Sequence, residues 1–217
     1  MTGTKTFIGS TVGRKLVVAV TGIMLFGYLV LHVLGNMQIF AGPTRIDHYA
    51  ELLRTSPPLL WGARIVLLAA VVVHIWLTVL LTLENRGARP RYRGQVYRET
   101  DVASRIMIWS GLVLLAFIVF HILDLTVGTV NPGFRAGHVF DNVIASLSRL
   151  PVAVFYLVAV TLLGFHLYHA LWSLFQTLGL NHPRYNRWRR VFSVVFAVLV
   201  ATGFASIPLA VMAGLLP

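Results

Sequence analysis

Five apolar runs dominate this chain of 217 residues, and each is long enough to cross a lipid bilayer. At about 1.5 Å of rise per residue, some 20 helical residues span the roughly 30 Å hydrocarbon core. A backbone in that core must satisfy its own hydrogen bonds, which leaves helices or a closed barrel. Barrel strands would be alternating segments of about ten residues, and these runs are longer and continuous. The sequence therefore predicts an all-α integral membrane protein with five transmembrane helices at about 16–40, 59–83, 104–127, 151–178 and 191–216. Composition agrees: 57% of residues are hydrophobic and 12% charged, with a mean hydropathy of +0.79. The chain reads as a single membrane-anchor domain over 1–217, with no soluble domain in which a polar substrate could be processed. No cleavable signal is expected. The run after Lys5, Arg14 and Lys15 is too long for a signal-peptide core and lacks a small-residue cleavage site.

A net charge of +11 in a membrane protein points to topology rather than to nucleic acid, because loops rich in Lys and Arg stay cytoplasmic. The N-terminus, the 84–105 connection and the 179–190 connection hold 13 of the 18 Lys and Arg residues, among them Arg86, Arg89, Arg91, Arg93, Arg98, Arg184, Arg187, Arg189 and Arg190. The 41–58 and 128–150 connections, with Arg64, hold the other five. This predicts a multi-pass protein of the cell's inner (cytoplasmic) membrane, N-terminus cytoplasmic and C-terminus outside. Arg45–Arg54 and Val139–Leu150 are amphipathic and should lie along the outer interface.

Four of the apolar runs each contain a histidine: His32, His74, His121 and His166, spaced by 42, 47 and 45 residues. A titratable ring inside a membrane is costly and usually functional. Counting rise from the predicted cytoplasmic ends puts His32 about 25 Å and His121 about 24 Å up their ascending helices. On the descending helices His74 sits about 15 Å, His166 about 21 Å and His169 about 16 Å above the same edge. Matched depths suggest an outer pair, His32 with His121, and an inner pair, His74 with His166 or His169. Imidazole is a good axial ligand for haem iron, and helix bundles hold cofactors between facing helices. The chain has no cysteine, which excludes disulfides, iron–sulfur ligation and thioether-linked haem. Gly22, Gly27, Gly111 and Gly164 would let a flat macrocycle approach the backbone. The alternative for any one histidine is a polar residue bonded across helices.

The histidine order and helix count, together with Ser10–Lys15 (STVGRK), Leu29–Asn36 (LVLHVLGN), His48–Leu53 (HYAELL) and His166–Asn181 (HLYHALWSLFQTLGLN), resemble the cytochrome b membrane anchor of succinate dehydrogenase or fumarate reductase, in its single-subunit, five-helix, di-haem form. That resemblance covers nearly the whole chain, and the last stretch is its most specific part. It implies two b haems, a bound quinone (menaquinone rather than ubiquinone), and an iron–sulfur and a flavoprotein subunit on the cytoplasmic side, in a complex that can form a higher oligomer. It also implies axial ligation by His32, His74, His121 and a helix-four histidine. The family's spacing from that histidine to a glycine 13 residues on joins His166 to Gly179. His169 is then an alternative ligand or a propionate contact.

Further candidates come with plainer readings. Asp124, one turn after His121, would orient a ligand or relay a proton near a quinone, or be an interfacial carboxylate. His48, Tyr49 and Glu51 would serve a quinone headgroup, or form the solvated face of an interfacial helix. Ser10, Arg14 and Lys15 would contact propionates, quinone or the iron–sulfur subunit, or simply anchor topology. Trp172, Ser173 and Gln176 would line the inner haem edge, or mark the membrane boundary. His138 and His182 should be exposed. Helix five, without charge or histidine, should pack and be kinked by Pro208. Two other functions fit less of the pattern: the anchor of a hydrogenase or formate dehydrogenase, and a haem-free transporter or scaffold, which would need more intramembrane carboxylates than Asp124.

Overall fold

A computed structural model describes residues 7–88, 102–180 and 182–216 of the chain. Among the described residues seven α-helices follow in order: α1 Thr11–Asn36, α2 Pro43–Arg54, α3 Pro57–Ala88, α4 Val102–Ile122, α5 Val139–Leu147, α6 Leu150–Thr177 and α7 Asn186–Met212. No strand occurs among the described residues. Five segments are long and apolar enough to cross a membrane: Thr11–Ala41, Pro57–Asn85, Ile106–Val127, Leu150–Thr177 and Pro183–Met212. The protein is a multi-pass membrane protein, and its five spans match the five apolar runs.

Local chemistry sets the helix ends. The Ser10 hydroxyl caps α1 by accepting the Gly13 amide at 3.0 Å, which satisfies one of the free amides of the first turn. Proline stands in the first turn of α2, α3 and α6, where its missing N–H removes no helical bond. α4 runs on into one π turn, Leu123–Val127, and stops at Gly128, whose φ of 85° is a left-handed conformation suited to glycine. Pro208 lies inside α7, as expected.

Three helix pairs pack closely: α1 with α3, α4 with α6, and α6 with α7, while α1 also touches α6 and α7. Small residues permit this. Ala153 and Ala159 of α6 are fully buried, and a Cβ on Gly164 would stand 3.1 Å from that of Ala201, the close approach typical of helix contacts in membranes. Among the described residues, backbone packing is sparse between α3 and either α4 or α6, and between α1 and α4. The α1–α3 and α4–α6 pairs thus meet chiefly through α1 and α6, and His32 of α1 lies beside His121 of α4.

One end of the bundle is capped. α2 and α5 lie against each other there, joined by the Asp47 carboxylate, which accepts the Phe140 amide at 3.0 Å. Ile39, Ile46, Phe140, Leu147, Tyr156 and Ile207 form a buried cluster under this cap. A second small core, Leu167, Ala197 and Val200, holds α6 to α7. Most other apolar side chains face outward, Leu31, Trp76 and Leu199 among them, as a lipid-facing bundle requires.

The amphipathic stretches are the two capping helices, though α5 stops at Leu147 and Leu150 already belongs to α6. The opposite, basic end differs more from expectation. α7 begins at Asn186 and so includes Arg187, Arg189 and Arg190, where a helix without charge was expected. Its first turn is stable because Arg189 is buried against the Trp172 ring at 4.5 Å, with Phe175 at 5.8 Å. α3 extends to Ala88, which includes Arg86, and its Glu84 pairs with Arg14 of α1. Most of the basic 84–105 connection, with Arg89, Arg91, Arg93 and Arg98, lies outside the described residues, as do Lys5 and Asn181.

Candidate functional site: two histidine pairs between the helices

His32 is four residues from the end of α1 and His121 is in the last turn of α4, so both sit near the capped end. Their ring centroids are 5.9 Å apart, with planes at 87°. Tyr28 stacks on His32 at 5.2 Å, and Phe117 on His121 at 5.6 Å. Deeper in the bundle, His74 lies 17 residues into α3 and His166 16 residues into α6, both counted from the capped end. Those counts are about 26 and 24 Å of helix. His166 is within electrostatic reach of both His74 and His169. Gly22 gives His74 its place beside α1: a Cβ there would be 3.5 Å from the His74 ring.

The hydrogen bonds decide how these rings are protonated. The Tyr156 hydroxyl donates its single proton to Asp124 Oδ2 at 2.9 Å. His121 Nδ1 lies 3.1 Å from the Tyr156 hydroxyl oxygen, and with that hydroxyl's proton given to Asp124 the ring nitrogen is the donor. The Thr21 hydroxyl donates to the carbonyls of Val17 and Val18 at 2.9 and 3.1 Å, and His74 Nδ1 lies 3.1 Å from it. The Ser110 hydroxyl donates to the Met107 carbonyl at 3.0 Å, and His166 Nδ1 lies 3.3 Å from it. In each case the proton belongs on Nδ1. At His32 the Asn36 amide, a donor, is 3.3 Å from Nε2, and Nδ1 faces the Tyr28 hydroxyl at 3.5 Å. These contacts suit the Nδ1–H tautomer for His74, His121 and His166, which leaves their lone pair on Nε2, while Nε2 of His32 faces the Asn36 amide. A histidine that binds a metal through one nitrogen commonly has its other N–H fixed in this way.

Asp124 lies close to the end of its span, Ile106–Val127. It is fully buried, turned inward by the π turn, a feature often found at functional sites. It accepts from Ser146, from Arg149 Nη2 at 2.8 Å and from Tyr156. Arg149 also donates to the Val130 carbonyl at 2.9 Å, which ties the 128–138 loop to the cluster.

The remaining candidates are dispersed. Ser10 is occupied as a helix cap and Arg14 pairs with Glu84, while Lys15 is exposed. His48 and Glu51 are exposed, 3.7 Å apart, and line a shallow pocket on the cap with Thr44, Asp47, Arg54 and Gly137. Tyr49 turns the other way and packs on Gly35, where a Cβ would come within 2.7 Å of its ring. Trp172 lies under Arg189 and within 5.8 Å of Arg190. Ser173 is half-buried and Gln176 exposed. His138 and His182 are exposed, as expected; the first pairs with Asp141 at 3.8 Å, and the second accepts the Arg184 amide. Sequence reasoning did not single out Thr21, Ser110, Arg149 or Tyr156. A hydroxyl in an apolar span was the available signal for the first two.

No family model, curated protein or solved structure matches the chain.

The spacing of the His32–His121 pair fits a haem. An imidazole nitrogen binds a first-row metal at about 2 Å, so two rings on opposite sides of one metal have centroids about 6 Å apart; His32 and His121 stand at 5.9 Å. A Cβ on Gly27 or Gly111 would meet nothing within 4 Å.

Proposed function

We propose that this chain is the di-haem cytochrome b anchor of a succinate:quinone oxidoreductase, carrying electrons between an iron–sulfur subunit and membrane quinone. The observation that carries the haem reading is the placement of the histidines: one in each of four membrane spans, with His32 and His121 ring to ring at 5.9 Å, and with Nδ1 of His74, His121 and His166 each at a hydroxyl. A transporter or scaffold has no need of that placement. His32 and His121 would ligate one haem b near the capped end, and His74 and His166 a second toward the basic end. His169, at i+3 from His166, remains the alternative ligand or a propionate contact. Bound there, the two haems supply one-electron carriage across most of the bilayer.

The chain's own residues do the rest. Thr21, Ser110 and Tyr156 keep three rings turned so that Nε2 points away from their hydroxyls, and the helices exclude water from the sites. The basic end, with Arg184, Arg187, Arg189 and Arg190, supports a cytoplasmic placement of that end in the inner membrane. The iron–sulfur and flavoprotein subunits would dock there. Succinate as the reductant, and menaquinone as the acceptor, rest on the sequence resemblance.

The chain isolated from its native membrane in mild detergent tests this. Flavin and iron–sulfur subunits should accompany it, and succinate should reduce b-type absorption bands in the preparation. Flavin and iron–sulfur centres without b-type bands would refute the haem reading. Haem that succinate cannot reduce, with no flavoprotein attached, would refute the dehydrogenase reading.

A further inference from the structure

The two pairs hold their histidines by different chemistry. Nδ1 of His74 and Nδ1 of His166 each lie against a neutral hydroxyl, which bonds a main-chain carbonyl of its own helix. His121 donates to Tyr156, whose proton goes to an ionisable carboxylate with no exposed surface. From His121 to Asp124 the donors all point one way, and Arg149 and Ser146 close the far end. A hydrogen bond to a charged acceptor is roughly twice as strong as a neutral one, and bonds in a chain polarise one another in a low-dielectric interior.

We propose that Asp124 and Tyr156 are positioning residues that set the ligand strength of His121, and so lower the reduction potential of the haem held by His32 and His121 relative to what a neutral hydroxyl would give. This rests on the di-haem reading above. Drawing the Nδ1 proton toward Tyr156 raises the electron density at Nε2, and a more basic axial ligand favours oxidised iron. Arg149 balances the carboxylate's charge, so the effect travels along the hydrogen bonds rather than through a net field. The π turn serves the same end. It brings Asp124 inward, where the Tyr156 hydroxyl reaches both the carboxylate and the ring.

The test is a potentiometric titration of the b-type bands in the assembled complex, comparing Tyr156→Phe, Asp124→Asn and Asp47→Asn with the parent protein. Tyr156→Phe removes the relay without changing charge. It should move one of the two midpoint potentials upward, leave the other where it was, and change the low-spin EPR signal of the shifted haem alone. Asp124→Asn should move the same haem in the same direction. Asp47→Asn loosens the cap elsewhere, through the Phe140 amide, and should move neither. The inference fails if Tyr156→Phe leaves both potentials unchanged, if it shifts both equally, or if Asp47→Asn reproduces its effect. Should Asp124→Asn fail to assemble, the Tyr156→Phe result decides. A parent complex with fewer than two haems contradicts the di-haem reading itself, whereas two haems with an unresponsive pair contradict only the relay.

Discussion

The capped end of the bundle is fastened by charge, and the middle by hydroxyls. Near the cap, a guanidinium, a phenol and a serine converge on one buried carboxylate, the phenol also meeting His121, and two asparagines pin the adjoining loop: Asn131 bonds the Asn142 carbonyl, and Asn142 bonds both backbone groups of Arg135. Around His74 and His166 there is one hydroxyl per ring and nothing charged among its hydrogen-bond partners. The contrast teaches where each kind of polar group is tolerable. A lone serine or threonine in an apolar helix can return its proton to its own backbone and still accept from a neighbour. A carboxylate in the same setting needs several donors and a countercharge, because an unpaired buried charge is far more costly than an unpaired hydroxyl.

The largest break in that comparison should come from Arg149→Ala, which leaves the Asp124 carboxylate without its countercharge. A loss of about 3–5 kcal/mol is expected, read as a lower Tm in detergent. Adding Asp124→Asn to it should recover much of that loss, because the pair is then neutral. A single variant as stable as the parent would mean that Arg149 is not the countercharge. Next in size are Thr21→Ala and Ser110→Ala, each of which frees the Nδ1–H of one ring. Loss of such a partner typically weakens metal binding about 10–100-fold. Each should lower haem retention at the His74–His166 pair on dilution or challenge, with the other pair unaffected. Equal loss from both pairs would contradict the independence of the two sites. The smallest effect belongs to Asp47→Asn, which weakens a capping interaction between α5 and α2. Asn keeps an oxygen that can accept the Phe140 amide, so less than about 1 kcal/mol is expected, confined to the cap and visible as faster amide exchange near Phe140 with no change in haem content.

Much of this architecture was legible in the sequence because membrane helices are governed by length and polarity alone. The five runs became five spans, and residue counts along rods of known rise brought His32 and His121 to one level. What counting could not supply is rotation about each helix axis. Thr21 meets His74 across 53 residues of chain and Ser110 meets His166 across 56, and those meetings depend on which face of α1 turns to α3, and of α4 to α6. Apolarity all round each span removes the periodicity that would reveal the face. Tyr156 was hidden for the same reason, being one aromatic among many. Asp124 stood out by its charge, yet its role hung on a π turn that no residue pattern announces. The charged start of α7 was missed because Arg187, Arg189 and Arg190 read as loop residues until Trp172 provided a surface for one of them.

The claim that matters most is that four histidines hold two haems in two separate pairs. It is tested by counting haem per chain in the assembled complex, for the parent and for single alanine changes at His32, His74, His121, His166 and His169. The account predicts two haems in the parent, one after any of the first four changes, and two after His169→Ala. His32→Ala and His121→Ala should remove the same haem, and His74→Ala and His166→Ala the other. A parent with no haem, or a loss pattern that joins His32 to His74 or His166, would contradict it.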